Sequence, residues 1–172
     1  KEDNIKEKFK QALISTVKVI SDDYKININN KKNFNEKDLQ IGELENIKDK
    51  NQFKKLRAET DSEALKRKFS NKKIFEKNIP KNPSCQNLYK ISERIRYEML
   101  GSEMLKGISK NFKDNYNTKL ASLSSKKVTN KDDINISDAF EIYMLNKFFK
   151  IELNEENKKI LSYWNEEFIK SF

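Results

Sequence analysis

Few residues in this chain combine the types and spacing that chemistry requires. The stretch GSEMLKGIS, residues 101–109, comes nearest to a phosphate-binding loop. It holds Gly101 and Gly107, two of the chain's three glycines. A P-loop needs the order G-x-x-x-x-G-K-[ST]. The second glycine lets the backbone wrap the phosphates, and the lysine after it opens a helix with its ammonium at the β- and γ-phosphates. Here Lys106 precedes Gly107, and that geometry is lost. A P-loop also follows a buried apolar strand, whereas KISERIRYEM, just ahead, is charged and helical in period. The stretch predicts no nucleotide site.

The chain has no histidine. That excludes Ser-His-Asp and Cys-His nucleophiles, HExxH zinc sites and imidazole proton shuttles. Carboxylate chemistry through Glu59, Asp61 and Glu98 stays open if a buried cleft brings them together. No carboxylate pair, however, sits in an apolar run that would raise a pKa. DDINIS, residues 132–137, falls short of the D-x-S-x-S metal-adhesion pattern and reads as a loop running into a helix cap. The residues therefore predict no catalytic, cofactor-binding or metal-binding position.

The elements that must position these residues are helical. Ile5, Phe9, Leu13, Val17 and Ile20 mark a first amphipathic helix over 3–21. Tyr24, Ile26 and Ile28 alternate, as do Leu39 and Ile41, which allows one small β-hairpin near 24–43. Asp49-x-x-Gln52 resembles a capping box ahead of a second helix carrying Phe53, Leu56, Thr60, Ala64, Leu65 and Phe69. NIPKNPS, 78–84, is the clearest break, and Ser84 can cap a third helix. Leu88, Ile91, Ile95, Met99, Leu105, Ile108 and Phe112 keep helical spacing through both glycines, so one continuous helix is expected there. Helix-interior glycines each cost about 1 kcal/mol relative to alanine, which points to a bend or a close neighbour. A fourth helix is expected near 113–124 with Tyr116, Leu120 and Leu123. A fifth opens at Ser137 or Asp138 with Ala139, Tyr143 and Phe148 or Phe149 inward. A sixth starts at the cap Asn154 and carries Ile160, Leu161, Trp164 and Phe168. The expected fold is a mainly α, single helical domain of about six helices.

Composition agrees. Hydrophobic residues are 35% and charged residues 37%, so the core must come from amphipathic elements. With 3 Gly and 2 Pro, an all-β design lacks its turn residues. No apolar run approaches the length of about 18 residues that spans a membrane. The single cysteine, Cys85, rules out an internal disulfide and fits a cytoplasmic setting. The net charge of +9 invites a nucleic-acid reading. The lysines, however, are interleaved with Glu and Asp, and arginine, the usual reader of guanine edges, is scarce. Specific nucleic-acid binding is not expected.

Several segments in order resemble one family, the T subunit of the aerobic, ATP-dependent cobaltochelatase (CobT type). ISERIRYEMLGSEMLKGISKNF is similar to the family's middle motif at Arg96, Glu98, Gly101, Gly107, Ile108 and Asn111, with Leu105 in a methionine place. RAETDSEALKRKFS is similar to an earlier motif at Arg57, Asp61, Ser62, Ala64 and Leu65, with Lys68 for an arginine. FKQALISTVKVI resembles the family's opening, and ILSYWNEEF its closing segment. Ser70 stands where the family has histidine, and Thr60 where it has alanine. The family continues with an acidic linker and a von Willebrand A-type domain, so residues 1–172 correspond to its N-terminal helical domain.

The resemblance implies a part in inserting Co²⁺ into hydrogenobyrinic acid a,c-diamide in cobalamin biosynthesis. An AAA+ S subunit would hydrolyse ATP, and a large N subunit would hold the corrinoid. The complex, a ligase forming nitrogen–metal bonds, uses ATP, Mg²⁺ and Co²⁺. This chain would be an oligomeric, non-catalytic assembly subunit that binds no cofactor itself. The alternative is a helical protein- or RNA-binding module unrelated to chelation. Arg57, Asp61, Arg96, Glu98, Gly101, Gly107 and Asn111 read as family-motif residues with a structural or subunit-contact role. Arg57, Asp61, Arg96 and Glu98 read equally well as a buried polar network. Glu98 and Ser102 fall on the inward face, and a buried carboxylate needs a cation. Spacing sets Arg94 outward and Lys106 about two turns away, which makes Arg57 the expected partner of Glu98.

Overall fold

The structure, a computed structural model, describes residues 2–26, 49–125 and 128–171. Eight α-helices are present among them and no strand. The hairpin expected near 24–43 lies mostly outside the described residues; Tyr24 and Ile26 belong to a turn region after the first helix. The chain divides into two compact units, Lys1–Ser70 and Asn71–Phe172.

The first unit pairs α1 (Glu2–Ser21) with α2 (Lys50–Phe69). Leu13, Val17 and Ile20 of α1 and Leu56, Ala64 and Leu65 of α2 are buried, as their spacing predicts. Phe9 and Phe53 meet edge to face at 4.9 Å. Ile5, expected on the same stripe, is 62% exposed at the outer end of α1. Asp49 caps α2: its carboxylate accepts from the backbone N–H groups of Asn51 and Gln52, which satisfies two donors that the helix start leaves open.

The second unit holds α3 (Lys72–Asn78), α4 (Pro83–Met104), α5 (Lys106–Ser124), α6 (Ile136–Phe149), α7 (Glu155–Ser162) and α8 (Asn165–Ser171). Its centre is α6, packed on α4, α5, α7 and α8. Ala139 to Leu145 are all buried, seven consecutive residues, so neighbours enclose this helix on every side. Phe140 and Tyr143 pack on Phe168 of α8 at 5.3 and 5.5 Å. Phe149 meets Phe112 and Tyr116 of α5 at 6.3 and 5.6 Å. Phe148, the alternative inward residue, is 44% exposed.

The six expected helices become eight because one helix is added and the last one divides, while two other boundaries move. Residues 72–78, not expected as a helix, form α3, capped by Asn71. The predicted cap at Ser84 moves back to Asn82, whose side chain accepts from the N–H groups of Ser84 and Cys85, with Pro83 in the first helical position. The continuous helix expected through Gly101 and Gly107 instead breaks at Leu105, whose φ of −135° and ψ of 106° are extended. The end of the expected third helix and the expected fourth near 113–124 form the single helix α5. The same periodicity suits two helices in near-register and one continuous helix, which is why spacing alone missed the break. The last expected helix likewise divides between Ser162 and Asn165 into α7 and α8. Asn154 caps α7 as expected, accepting from Asn157 N–H.

Candidate functional site

Among the described residues three carboxylates are buried: Asp61, Glu98 and Glu141. Burial penalises an ionised acid unless cations and hydrogen-bond donors surround it, so these positions are where the fold has built polar structure on purpose. Asp61 is met within α2, where Arg57 Nε donates to Asp61 Oδ2 at 3.2 Å from one turn back. Its neighbour Thr60 satisfies its hydroxyl on the Leu56 carbonyl at 2.7 Å.

The larger cluster draws on three helices of the second unit. Arg94 and Glu98 lie one turn apart on α4, Tyr116 and Lys119 one turn apart on α5, and Glu141 in the enclosed stretch of α6. Arg94 Nη2 donates to Glu141 Oε1 at 2.5 Å, and Lys119 Nζ to Glu141 Oε2 at 2.5 Å. Both oxygens of the Glu141 side chain, only 6% exposed, are thereby engaged. The Tyr116 phenol donates to Glu98 Oε2. Arg94 is partly buried, which alone would lower its pKa. The negative charges of Glu141 and Glu98 outweigh that and hold its guanidinium more firmly charged than usual. Burial is the main reason the Tyr116 pKa is raised, with the negative charge of Glu98 next. Tyr116 is thus held as a proton donor.

The arrangement is a clamp. Two cations, two carboxylates and one neutral phenol face one another, with only the buried Arg94 Nε lacking a hydrogen-bond partner in the cluster, and they tie the α4–α5 hairpin to α6. Each Glu141 oxygen is bound by a cation from a different helix, so the geometry favours fastening over general base work. Among the described residues no group of three or more His, Cys, Asp or Glu is arranged to hold a metal ion. Open grooves among the described residues include one between Asn146, Leu153 and Leu161 and one between Ser124, Val128 and Lys159.

The residues singled out from sequence are scattered over these features. Arg57 and Asp61 come together. Glu98 is buried at 2% exposure, as its position on the seam predicts, while Ser102 is only partly buried. The expected Arg57–Glu98 pair would join the two units. Within its own unit each residue has another partner, Asp61 for Arg57 and Tyr116 for Glu98. Arg94, which spacing sets outward, is a cation that acts electrostatically with Glu98. Arg96 faces solvent and grips Glu93 with two hydrogen bonds of 2.7 and 2.8 Å. Glu59 is exposed and within 3.8 Å of Lys55. Asn111 is partly buried on α5.

Gly101 is buried in the last turn of α4, and its carbonyl accepts from Leu105 N–H at 3.0 Å. Gly107 corrects the packing expectation: it is exposed, and a Cβ placed on it would meet nothing within 4 Å. The stretch before Gly101 is helix α4, not the strand that a P-loop follows. In the other near-motif, Asp133 accepts from the N–H and hydroxyl of Thr129 at 2.7 Å each. Asn135 caps α6, so DDINIS is the loop into a cap that it resembles.

Sequence reasoning missed Arg94, Lys119 and Glu141 as partners. One signal was available: Glu141 is the lone charge within AFEIYML, and a lone charge in an apolar run must find a partner.

A family model described as cobalamin biosynthesis protein CobT matches residues 3–171. No curated protein and no solved structure matches the chain.

Proposed function

The chain belongs to the CobT family of cobalamin biosynthesis proteins, and from that premise we propose that it is a non-catalytic subunit domain of an ATP-dependent cobaltochelatase. In this reading it assembles with an AAA+ subunit and passes that subunit's movement to the large subunit that holds the corrinoid and Co²⁺. The observation that carries the reading is the extent of the family match, 3–171, across both compact units. The clamp supports it physically. A part that transmits force needs helices fixed to one another, and Glu141 fastens α4 and α5 to the enclosed helix α6 through both of its oxygens.

Reconstitution tests the proposal. The chain should co-purify with the AAA+ subunit, and more strongly with ATP than without. Leaving it out of a mixture of all three subunits should stop Co²⁺ insertion while ATP hydrolysis continues. Folded chain that associates with neither subunit, with or without ATP, overturns the reading. Calorimetry of the chain alone with Mg-ATP should show no binding; micromolar affinity would contradict a purely assembling role.

A further inference from the structure

Among the described residues some lysines of the helices are paired within their own helix. Along α2, α7 and α8, Lys55, Lys66, Lys158 and Lys170 each lie beside a glutamate one turn away. The first half of α5 carries lysines without such partners, although Lys119 further along is held by Glu141. Lys106, Lys110 and Lys113 stand at i, i+4 and i+7, so they line one stripe of the helix, and all three are exposed. Among the described residues none of the three forms an ion pair. Like charges one turn apart work against the helix that carries them, so the stripe is a standing electrostatic cost that a negatively charged neighbour would remove.

Apolar surface adjoins it. Met104 and Leu105, at the break between α4 and α5, are 57% and 45% exposed. Leu105 continues the periodicity that buries Ile95, Ile108 and Phe112, yet the extended backbone at the break turns it out to solvent. Beside Lys106 on the helix surface stands Gly107, with open space above it. Apolar anchors next to unneutralised charge, with room for close approach, are what an amphipathic segment of opposite charge recognises.

We propose that Met104, Leu105, Lys106, Gly107, Lys110 and Lys113 form a docking surface for an acidic, amphipathic helical segment of a partner protein. Its carboxylates would lie along the lysine stripe, and its apolar side chains would cover Met104 and Leu105. A nucleic acid would use the lysines but has no use for the two exposed apolar side chains, which favours the protein ligand. The inference does not depend on the chelatase reading, because its test contains no chelatase subunit.

The test is fluorescence anisotropy on the whole chain. The probe is a labelled 15-residue glutamate-rich peptide with leucine at alternating third and fourth positions. The peptide should bind measurably at low salt and at least about fivefold more weakly at high salt. Lys106→Glu/Lys110→Glu/Lys113→Glu should weaken it at least about tenfold, and Leu105→Ser about threefold. Lys158→Glu/Lys170→Glu, in which paired lysines are reversed elsewhere, should leave it unchanged. Circular dichroism confirms that each variant is folded, which surface positions should permit. The proposal is overturned if the peptide does not bind, if the α5 triple variant binds it as well as the natural chain does, or if a leucine-free version binds equally. It is also overturned if a 15-nucleotide oligouridylate binds more tightly and loses that binding in the triple variant.

Discussion

Asp61 and Glu141 are both buried acids in an otherwise apolar setting, yet they are neutralised differently. Asp61 is held by Arg57, four residues back on the same helix. Glu141 is held by Arg94 and Lys119, which come from two other helices. The first pair exists wherever α2 is helical, including helical stretches of the unfolded ensemble. The second exists only when α4, α5 and α6 are assembled. The local pair thus stabilises one element, whereas the tertiary cluster reports and enforces the packing of a whole unit.

Arg94→Met breaks the comparison most directly. It leaves Glu141 buried with one cation and removes the positive charge that acts on Glu98. Full burial of such a pair would mean a loss of about 3–5 kcal/mol. Because the Arg94 side chain is 32% exposed, about 2–3 kcal/mol is expected in urea unfolding. Adding Glu141→Leu should recover part of the loss, since an apolar side chain suits the enclosed stretch of α6. No recovery would mean that Arg94 acts through packing and not through its charge.

Tyr116→Phe should cost somewhat less, about 1.5–3 kcal/mol, for the lost hydrogen bond to the buried Glu98 carboxylate. It also has a pH signature. The folded phenol titrates above its ordinary value near 10, so unfolded chains lose the proton first. The phenol's contribution is fully present below pH about 10 and declines above it. Natural chain should therefore lose stability more steeply above pH about 10 than Tyr116→Phe; parallel profiles would place the phenol outside the cluster.

Arg57→Met sharpens the contrast between the local and the tertiary pair. Its loss should be about 1–2 kcal/mol, smaller than that of Arg94→Met, because part of the local pairing survives unfolding. Equal losses in the two variants would remove the distinction.

The two glycines extend the comparison to the backbone. Gly101→Leu, at a buried position, should destabilise by about 1–3 kcal/mol through overpacking. Gly107→Ala, in open space on an exposed helix, should stabilise by about 0.5–1 kcal/mol. A melting temperature that falls in the second variant would show that Gly107 has a neighbour after all.

Much of this fold was legible before any coordinates. The stripes Leu13–Val17–Ile20 and Leu56–Thr60–Ala64 point inward as spacing requires, and the caps Asp49 and Asn154 stand where side-chain chemistry places them. The break at Leu105 was not legible, because one extended residue between two helices leaves the apolar period nearly intact. Of the buried charges, Glu98 could be placed from its seam. Arg94 could not, since helical spacing gives a direction on one helix and says nothing of which carboxylate another helix presents.

By itself the sequence determined that this protein would be helical, with a core of amphipathic stripes and no imidazole chemistry, because these follow from composition and short-range periodicity. Only the tertiary structure decided that α6 is enclosed, that Glu141 is shared by Arg94 and Lys119, and that Leu105, Lys106, Lys110 and Lys113 are all exposed. Those outcomes depend on which helices meet, and residues 94, 119 and 141 become neighbours only when burial of the apolar faces brings their helices together.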